Sequence, residues 1–137
     1  MSTESEAIDY LTVDDLLDIA AGVLLGVEVR DAGLLASAVA RPAATVFGAE
    51  AYPSFPEKVA ALLHALARNH PLLDGNKRLA WSAARVFCLM NGRDLRFGVD
   101  EAEAMILAVA SGTLDVPDLA ATLERHGASR WIGSGEP

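Results

Sequence analysis

The sequence predicts an all-α bundle of about six helices. Apolar residues recur at three- and four-residue spacing in one segment after another. Capping residues and helix stops separate those segments. Period-two alternation is nearly absent, so no large sheet is expected.

Thr12 and Asp15 match a capping box ahead of a helix over Val13–Leu25, with Leu16, Ile19, Ala20 and Val23 at helical spacing. Asp31 caps a second helix through Ala40, which Pro42 terminates. Residues 42–56 carry Pro42, Pro53 and Pro56 with Gly48, Phe47 and Phe55, and read as an ordered loop. At most a short hairpin is expected there or in residues 93–99. Next comes Glu57–Arg68, with Val59, Leu62, Leu63 and Leu66 on one face. Residues 69–75 interrupt it, and a further helix runs from about Asn76 to Met90, stopped by Asn91-Gly92. Asp100 caps a helix through Ala110; Asp115 caps another, with Pro117 in its first turn, where a missing N–H costs little. Residues 1–10 and 128–137 are expected to be flexible ends of a single domain spanning residues 1–137.

With 137 residues, 52% apolar and 22% charged, the chain suits one packed domain rather than a disordered segment. The single cysteine, Cys88, excludes an intrachain disulfide and a cysteine-based metal site, and its apolar surroundings suggest a buried structural thiol. No run approaches a membrane span and the acidic start does not resemble a signal peptide, so a soluble, cytoplasmic protein is expected. A net charge of −8 argues against nucleic acid and anionic membranes as partners. The charge is uneven, however. Residues 68–96 hold Arg68, Lys77, Arg78, Arg85, Arg93 and Arg96 against Asp74 and Asp94 alone, a local balance of +4.

Within that region, residues 68–78 (RNHPLLDGNKR) place a histidine, a carboxylate, amides and three cations across a helix–loop–helix junction. The first N–H groups of a helix have no intrahelical partner, and the helix dipole adds positive potential there. Such a terminus is an anion cradle. Gly75 permits close backbone approach or positive φ. Lys77 and Arg78 offer cationic donors to phosphate. Asp74 is a carboxylate of the kind that shares Mg²⁺ with nucleotide phosphates. His70 is suited to accept a proton from a hydroxyl. Each residue alone has an ordinary reading: a loop histidine, an Asp-Gly turn, a solvated Lys-Arg pair. Their concentration at one junction of an acidic chain is what points to a phosphate site.

Residues 70–78, HPLLDGNKR, resemble the signature of the Fic/Doc superfamily. The Fic pattern is H-P-F-x-[D/E]-G-N-G-R-x-x-R and the Doc pattern H-x-F-x-x-A-N-K-R. Lys77 stands where Fic enzymes have their second glycine and Trp81 where they have their last arginine, so the chain is closer to Doc (death-on-curing) toxins. Leu72 replaces the family's phenylalanine, and Gly75 is the Fic-like residue rather than Doc's alanine. The segments TVDDLL (12–17), ASAVARP (36–42), ARNH (67–70), MNG (90–92) and SGTLDVPDLAATL (111–123) are also Doc-like in order and spacing.

The resemblance implies a compact all-α toxin of a toxin–antitoxin system, paired with a Phd-like antitoxin. It implies a kinase that moves the γ-phosphoryl of ATP to a threonine of elongation factor Tu. The alternatives are Fic-like AMP transfer to a protein hydroxyl, or an inactive binding module of the same fold. Carried over residue by residue, His70 would be the general base and Asp74 the Mg²⁺ ligand. Gly75, Asn76, Lys77 and Arg78 would hold phosphates, with Arg68 a helper. By analogy with the target-docking flap of Fic folds, Tyr52 and Phe55 become candidate target contacts. His64, Trp81 and Phe87 read as structural, and Arg85, Arg93 and Arg96 as exposed.

Overall fold

The computed structural model describes residues 7–129 as six α-helices and one two-stranded hairpin. In chain order these are α1 (Val13–Val23), α2 (Ala32–Ala40), β1 (Thr45–Val46), β2 (Ala49–Glu50), α3 (Phe55–Asn69), α4 (Asn76–Met90), α5 (Val99–Ala110) and α6 (Val116–Leu123). The all-α class is therefore the observed one.

The central helix is α3. Val59, Ala60, Ala61, Leu62, Leu63, Ala65, Leu66 and Ala67 are all buried, and α2, α4, α5 and α6 pack around it. Small residues between the leucines let those neighbours approach closely, which explains why the helix is so rich in alanine. Phe87 of α4 fills the centre of the core, 5.1 Å from Phe55 and 6.0 Å from Tyr10 between ring centroids.

Most helix starts follow the capping logic. The Asp15 N–H donates to Thr12 Oγ1 and the Thr12 N–H to Asp15 Oδ2, closing the expected box on α1. Asp31 Oδ1 accepts from the Gly33 and Leu34 N–H groups at the start of α2. Three boundaries differ from expectation by two residues, and α3 runs one residue further, to Asn69. α1 stops at Val23, because Leu24 turns extended and packs against the loop before α4. α3 begins at Phe55, since Ser54 and Glu57 form a second capping box that tolerates Pro56 in the first turn. α5 begins at Val99, where Glu101 accepts the Gly98 N–H, so Asp100 lies inside the first turn instead of capping it.

The ends are tied more closely than the sequence suggests. Asn91 accepts from the Asp9 N–H and donates to the Asp9 carbonyl, Tyr10 is half-buried, and Ala128 is fully buried at the end of a π-helical turn. Residues 1–6 and 130–137, the remainder of the expected flexible ends, lie outside the described residues. The hairpin falls within residues 42–56. Thr45 pairs with Glu50 and Val46 with Ala49, joined by Phe47-Gly48, both at positive φ. That is the backbone a tight two-residue hairpin turn demands.

Candidate functional site

The motif lies where α3 gives way to α4. Pro71 disfavours helical backbone in the residue before it, and His70 takes up a left-handed conformation at φ = 54°, ψ = 63°. For a residue with a Cβ that conformation costs about 1–2 kcal/mol. The surroundings hold it in place. Arg30 Nε donates to the His70 carbonyl at 2.7 Å and Arg30 Nη2 to the Asn69 carbonyl at 2.8 Å. The N–H groups of Arg30 and Asp31 donate to the Pro71 carbonyl, and the Leu73 N–H donates to the Glu28 carbonyl. The loop is thus paired edge to edge with residues 28–31.

From inside, Leu72 anchors the loop at 1% exposure, so leucine keeps the packing role of the family's phenylalanine. Asn76 clamps it. Its Oδ1 accepts the Leu72 N–H and its Nδ2 donates to the Leu72 carbonyl, both at 2.9 Å. The side chain expected to hold phosphate is therefore committed to the loop, and Asn76 can meet a ligand only through its backbone N–H. Gly75 sits at φ = 86°, with Leu24 packed where a Cβ would be. The Fic-like glycine here answers to a packing constraint and does not loosen the loop.

The first backbone bond of α4 runs from the Leu79 N–H to the Gly75 carbonyl. The N–H groups of Asn76, Lys77 and Arg78 consequently have no intrahelical acceptor. Lys77 and Arg78 are exposed, and Arg78 reaches the last carbonyl of α1 at 3.4 Å. Asp74 is exposed; its Oδ1 accepts the Gly75 N–H at 2.9 Å, leaving Oδ2 available.

This terminus opens into a cavity of about 780 Å³ walled by Asp74–Arg78, Trp81 and Arg85 on one side and by Phe97, Glu103 and Leu107 on the other. That volume lies within the roughly 300–1,000 Å³ of small-molecule sites. Trp81 is half-buried and meets Phe97 edge-on, with ring centroids 5.4 Å apart, so an aromatic wall occupies the position of the Fic arginine. Arg85 pairs with Asp94 at 3.3 Å. His70 is exposed at the far end of the loop and Arg68 lies on α3; neither lines this cavity. Arg68 donates to the Ala110 carbonyl at the end of α5 at 3.0 Å.

The donor set fits a magnesium nucleotide. Among the described residues no three His, Cys, Asp or Glu side chains gather as a self-sufficient metal cage. A divalent ion on Asp74 would complete its shell with phosphate oxygens and water, the usual arrangement for Mg²⁺. The open N–H groups of α4 with Lys77 and Arg78 suit the phosphates.

Several other residues are placed differently from expectation. Phe55, a candidate target contact, is buried against Phe87, because it opens α3 on its core side. Tyr52 is half-buried, its hydroxyl accepting from Arg41 Nε at 3.0 Å. Arg93, expected to be exposed, is 4% exposed; it lies over the Phe55 ring at 4.4 Å and its Nη1 donates to the Asn91 carbonyl at 2.6 Å, contacts that offset its burial. Arg96 is exposed as expected. His64 is half-buried as expected, with Arg41 Nη1 on its Nδ1 at 3.1 Å. Arginine can only donate, so Nδ1 accepts and the ring proton sits on Nε2. Burial, then the Arg41 charge, hold the His64 pKa below 6.5, with Asp115 opposing in part. Burial pushes the Cys88 thiol up to about 12, so it is inert.

Sequence reasoning missed Arg30, Leu24 and Lys58. Arg30 comes from a segment with no periodic signal, and Leu24 falls within the expected first helix, which it leaves in an extended conformation. Lys58 did leave a signal, a charge at a core position of α3. It is 3% exposed, and its ammonium donates to Glu50 Oε1, to the Tyr52 carbonyl and to the Pro42 carbonyl.

The sequence model of the Fic/DOC family matches residues 10–88. A protein named Toxin Doc from Mycolicibacterium smegmatis (strain ATCC 700084 / mc(2)155) is 48% identical, the match covering 91% of this chain and 98% of that protein. With the motif at the α3–α4 junction, the helical architecture and both matches in agreement, the chain belongs to the Fic/DOC family.

Proposed function

We propose that this chain is the toxin of a toxin–antitoxin pair, a Doc-like protein kinase acting in the cytoplasm. It would transfer the γ-phosphoryl of ATP to a threonine hydroxyl of elongation factor Tu, inhibit translation, and be neutralised by a Phd-like antitoxin. The observation that carries the reading is the 48% identity to Toxin Doc over nearly the whole of both chains. Two features of the site support it. Lys77 places a side-chain cation where a second glycine would leave an open backbone nest. Trp81 puts an aromatic wall where Fic enzymes have a phosphate-clamping arginine.

When bound, Mg²⁺–ATP supplies the transferable group and neutralises charge developing on it. The chain's own contribution is positional, as is usual for phosphoryl transfer. The N–H groups of residues 76–78, with Lys77 and Arg78, hold the phosphate oxygens. Asp74 would hold Mg²⁺ through its Oδ2, since Oδ1 accepts the Gly75 N–H. His70 takes the hydroxyl proton on a ring nitrogen while the new P–O bond forms and the bond to the β-phosphate oxygen breaks. The target segment would dock at the hairpin, where Val46 and Phe47 are the exposed apolar residues, Phe47 at 105%.

The test uses purified protein, elongation factor Tu, and ATP labelled at either the γ- or the α-phosphate. Label should reach the factor only from the γ position; transfer only from the α position would establish nucleotidyl transfer and sink the kinase reading. Expression should arrest growth, and His70→Ala should abolish the arrest. Equal toxicity of both proteins would point to a binding module without turnover.

A further inference from the structure

We infer that Arg30, which lies outside the family motif, is a positioning residue that holds the proposed base in its working orientation. The inference rests on the reading of His70 given above.

Among the described residues only His70 and Phe47 carry a side chain at positive φ. Phe47 sits in a two-residue hairpin turn that requires this conformation. His70 has no such turn to hold it. It follows a 15-residue helix whose last carbonyls lack intrahelical partners and carry the negative end of the dipole.

Backbone pairing with residues 28–31 fixes the loop only from Pro71 onward, through the Pro71 carbonyl and the Leu73 N–H. The Asn76 clamp acts on Leu72. The two carbonyls on the helix side, Asn69 and His70, are both taken by one guanidinium, through Nε at 2.7 Å and Nη2 at 2.8 Å. Those are short, charge-assisted bonds in a forked geometry that no other side chain reproduces. They tie together the two successive peptide planes on either side of the His70 Cα. Rotating His70 toward a right-handed conformation would swing its carbonyl away from Nε while Nη2 still held Asn69. Arg30 is itself immobilised, because its own N–H is bonded to Pro71 across the same loop. The fork therefore opposes the one backbone rotation that would redirect the imidazole.

The experiment compares the full chain with Arg30→Met and Arg30→Lys, the latter keeping charge and aliphatic stem but losing the fork. The first readout is the three-bond HN–Hα coupling and Cα shift of His70 in isotope-labelled protein, which report φ without any reaction. The second is the split between kcat and KM for ATP in the transfer assay. Both variants should stay folded, since Arg30 is exposed. Both should shift the His70 signals off the left-handed values, lower kcat at least tenfold, and leave KM for ATP within about twofold. Lysine should not rescue.

Unchanged His70 signals in both variants, or shifted signals with unchanged kcat, would overturn the inference. A wild-type chain without transfer activity would instead sink the proposed function, and the coupling measurement would still decide whether Arg30 sets the His70 backbone.

Discussion

At Gly75 the backbone lies at φ = 86°, and an added Cβ would stand 2.7 Å from both δ-carbons of Leu24. Gly75→Ala combines the left-handed penalty with displacement of that side chain, and should cost about 1–3 kcal/mol in urea unfolding. Adding Leu24→Ala should cost less than the sum of the two single changes, because the clash is shared; strict additivity would show that Leu24 does not fill that space. Lys77 presents the opposite case. It is exposed in the first turn of α4, so Lys77→Ala should alter stability by less than about 0.5 kcal/mol while weakening nucleotide binding and transfer. An unfolded variant with full activity per folded molecule would show that Lys77 is misplaced in the site. His64 offers a pH test. Its folded-state pKa lies below 6.5, so the unfolded chain binds the proton more readily and stability falls as pH drops from about 6.5 toward the folded value. The groups facing it are Arg41 and Arg68, which depress the pKa, and Asp115, which raises it. His64→Gln should flatten the melting temperature over that window; an unaltered slope would assign the pH dependence elsewhere.

The hairpin is too short to persist by itself. What holds it is Lys58 of α3, whose buried ammonium gathers the Pro42 carbonyl before β1, the Glu50 carboxylate within β2 and the Tyr52 carbonyl after it. Removing that donor strands acceptors that folding has taken from water, at about 1.5–3 kcal/mol for a bond to a charged group. Lys58→Met should therefore lower stability by about 2 kcal/mol and speed amide exchange across residues 44–52 far more than in the middle of α3. Glu50→Gln should do less, because its side chain is half-exposed and keeps contact with water. Uniform acceleration of exchange would mean that Lys58 supports the core and not the hairpin. The hairpin also shows what periodicity overlooks. Phe47-Gly48 lacks the Asn-Gly or Asp-Gly signal of a tight turn, and its strands are two residues each.

Across the whole molecule, an acidic chain carries a cationic helix end. Seventeen of the 19 acidic residues lie outside residues 68–96, while the +4 excess of that segment is divided by the fold among separate tasks. Lys77 and Arg78 face the cavity mouth, Arg68 caps α5, Arg85 pairs with Asp94, and Arg93 is buried over the Phe55 ring. A local charge balance thus located the region of interest without saying which cations are free to meet a ligand.

The helices were legible in the sequence because each is written locally, in three- and four-residue apolar spacing and in caps a few residues away. The nine-residue motif was legible for the same reason: its members are contiguous. The structure alone decided that Asn76 turns inward to grip Leu72, that Leu24 fills the space beside Gly75, that Phe55 is core, and that Arg30 and Lys58 hold the loop and the hairpin from other elements. Arg30 lies 40 positions from His70, and no local pattern encodes a contact across that distance. Propensity and periodicity report what a residue does to its neighbours in the chain; which distant carbonyl a guanidinium meets is settled only when the helices pack.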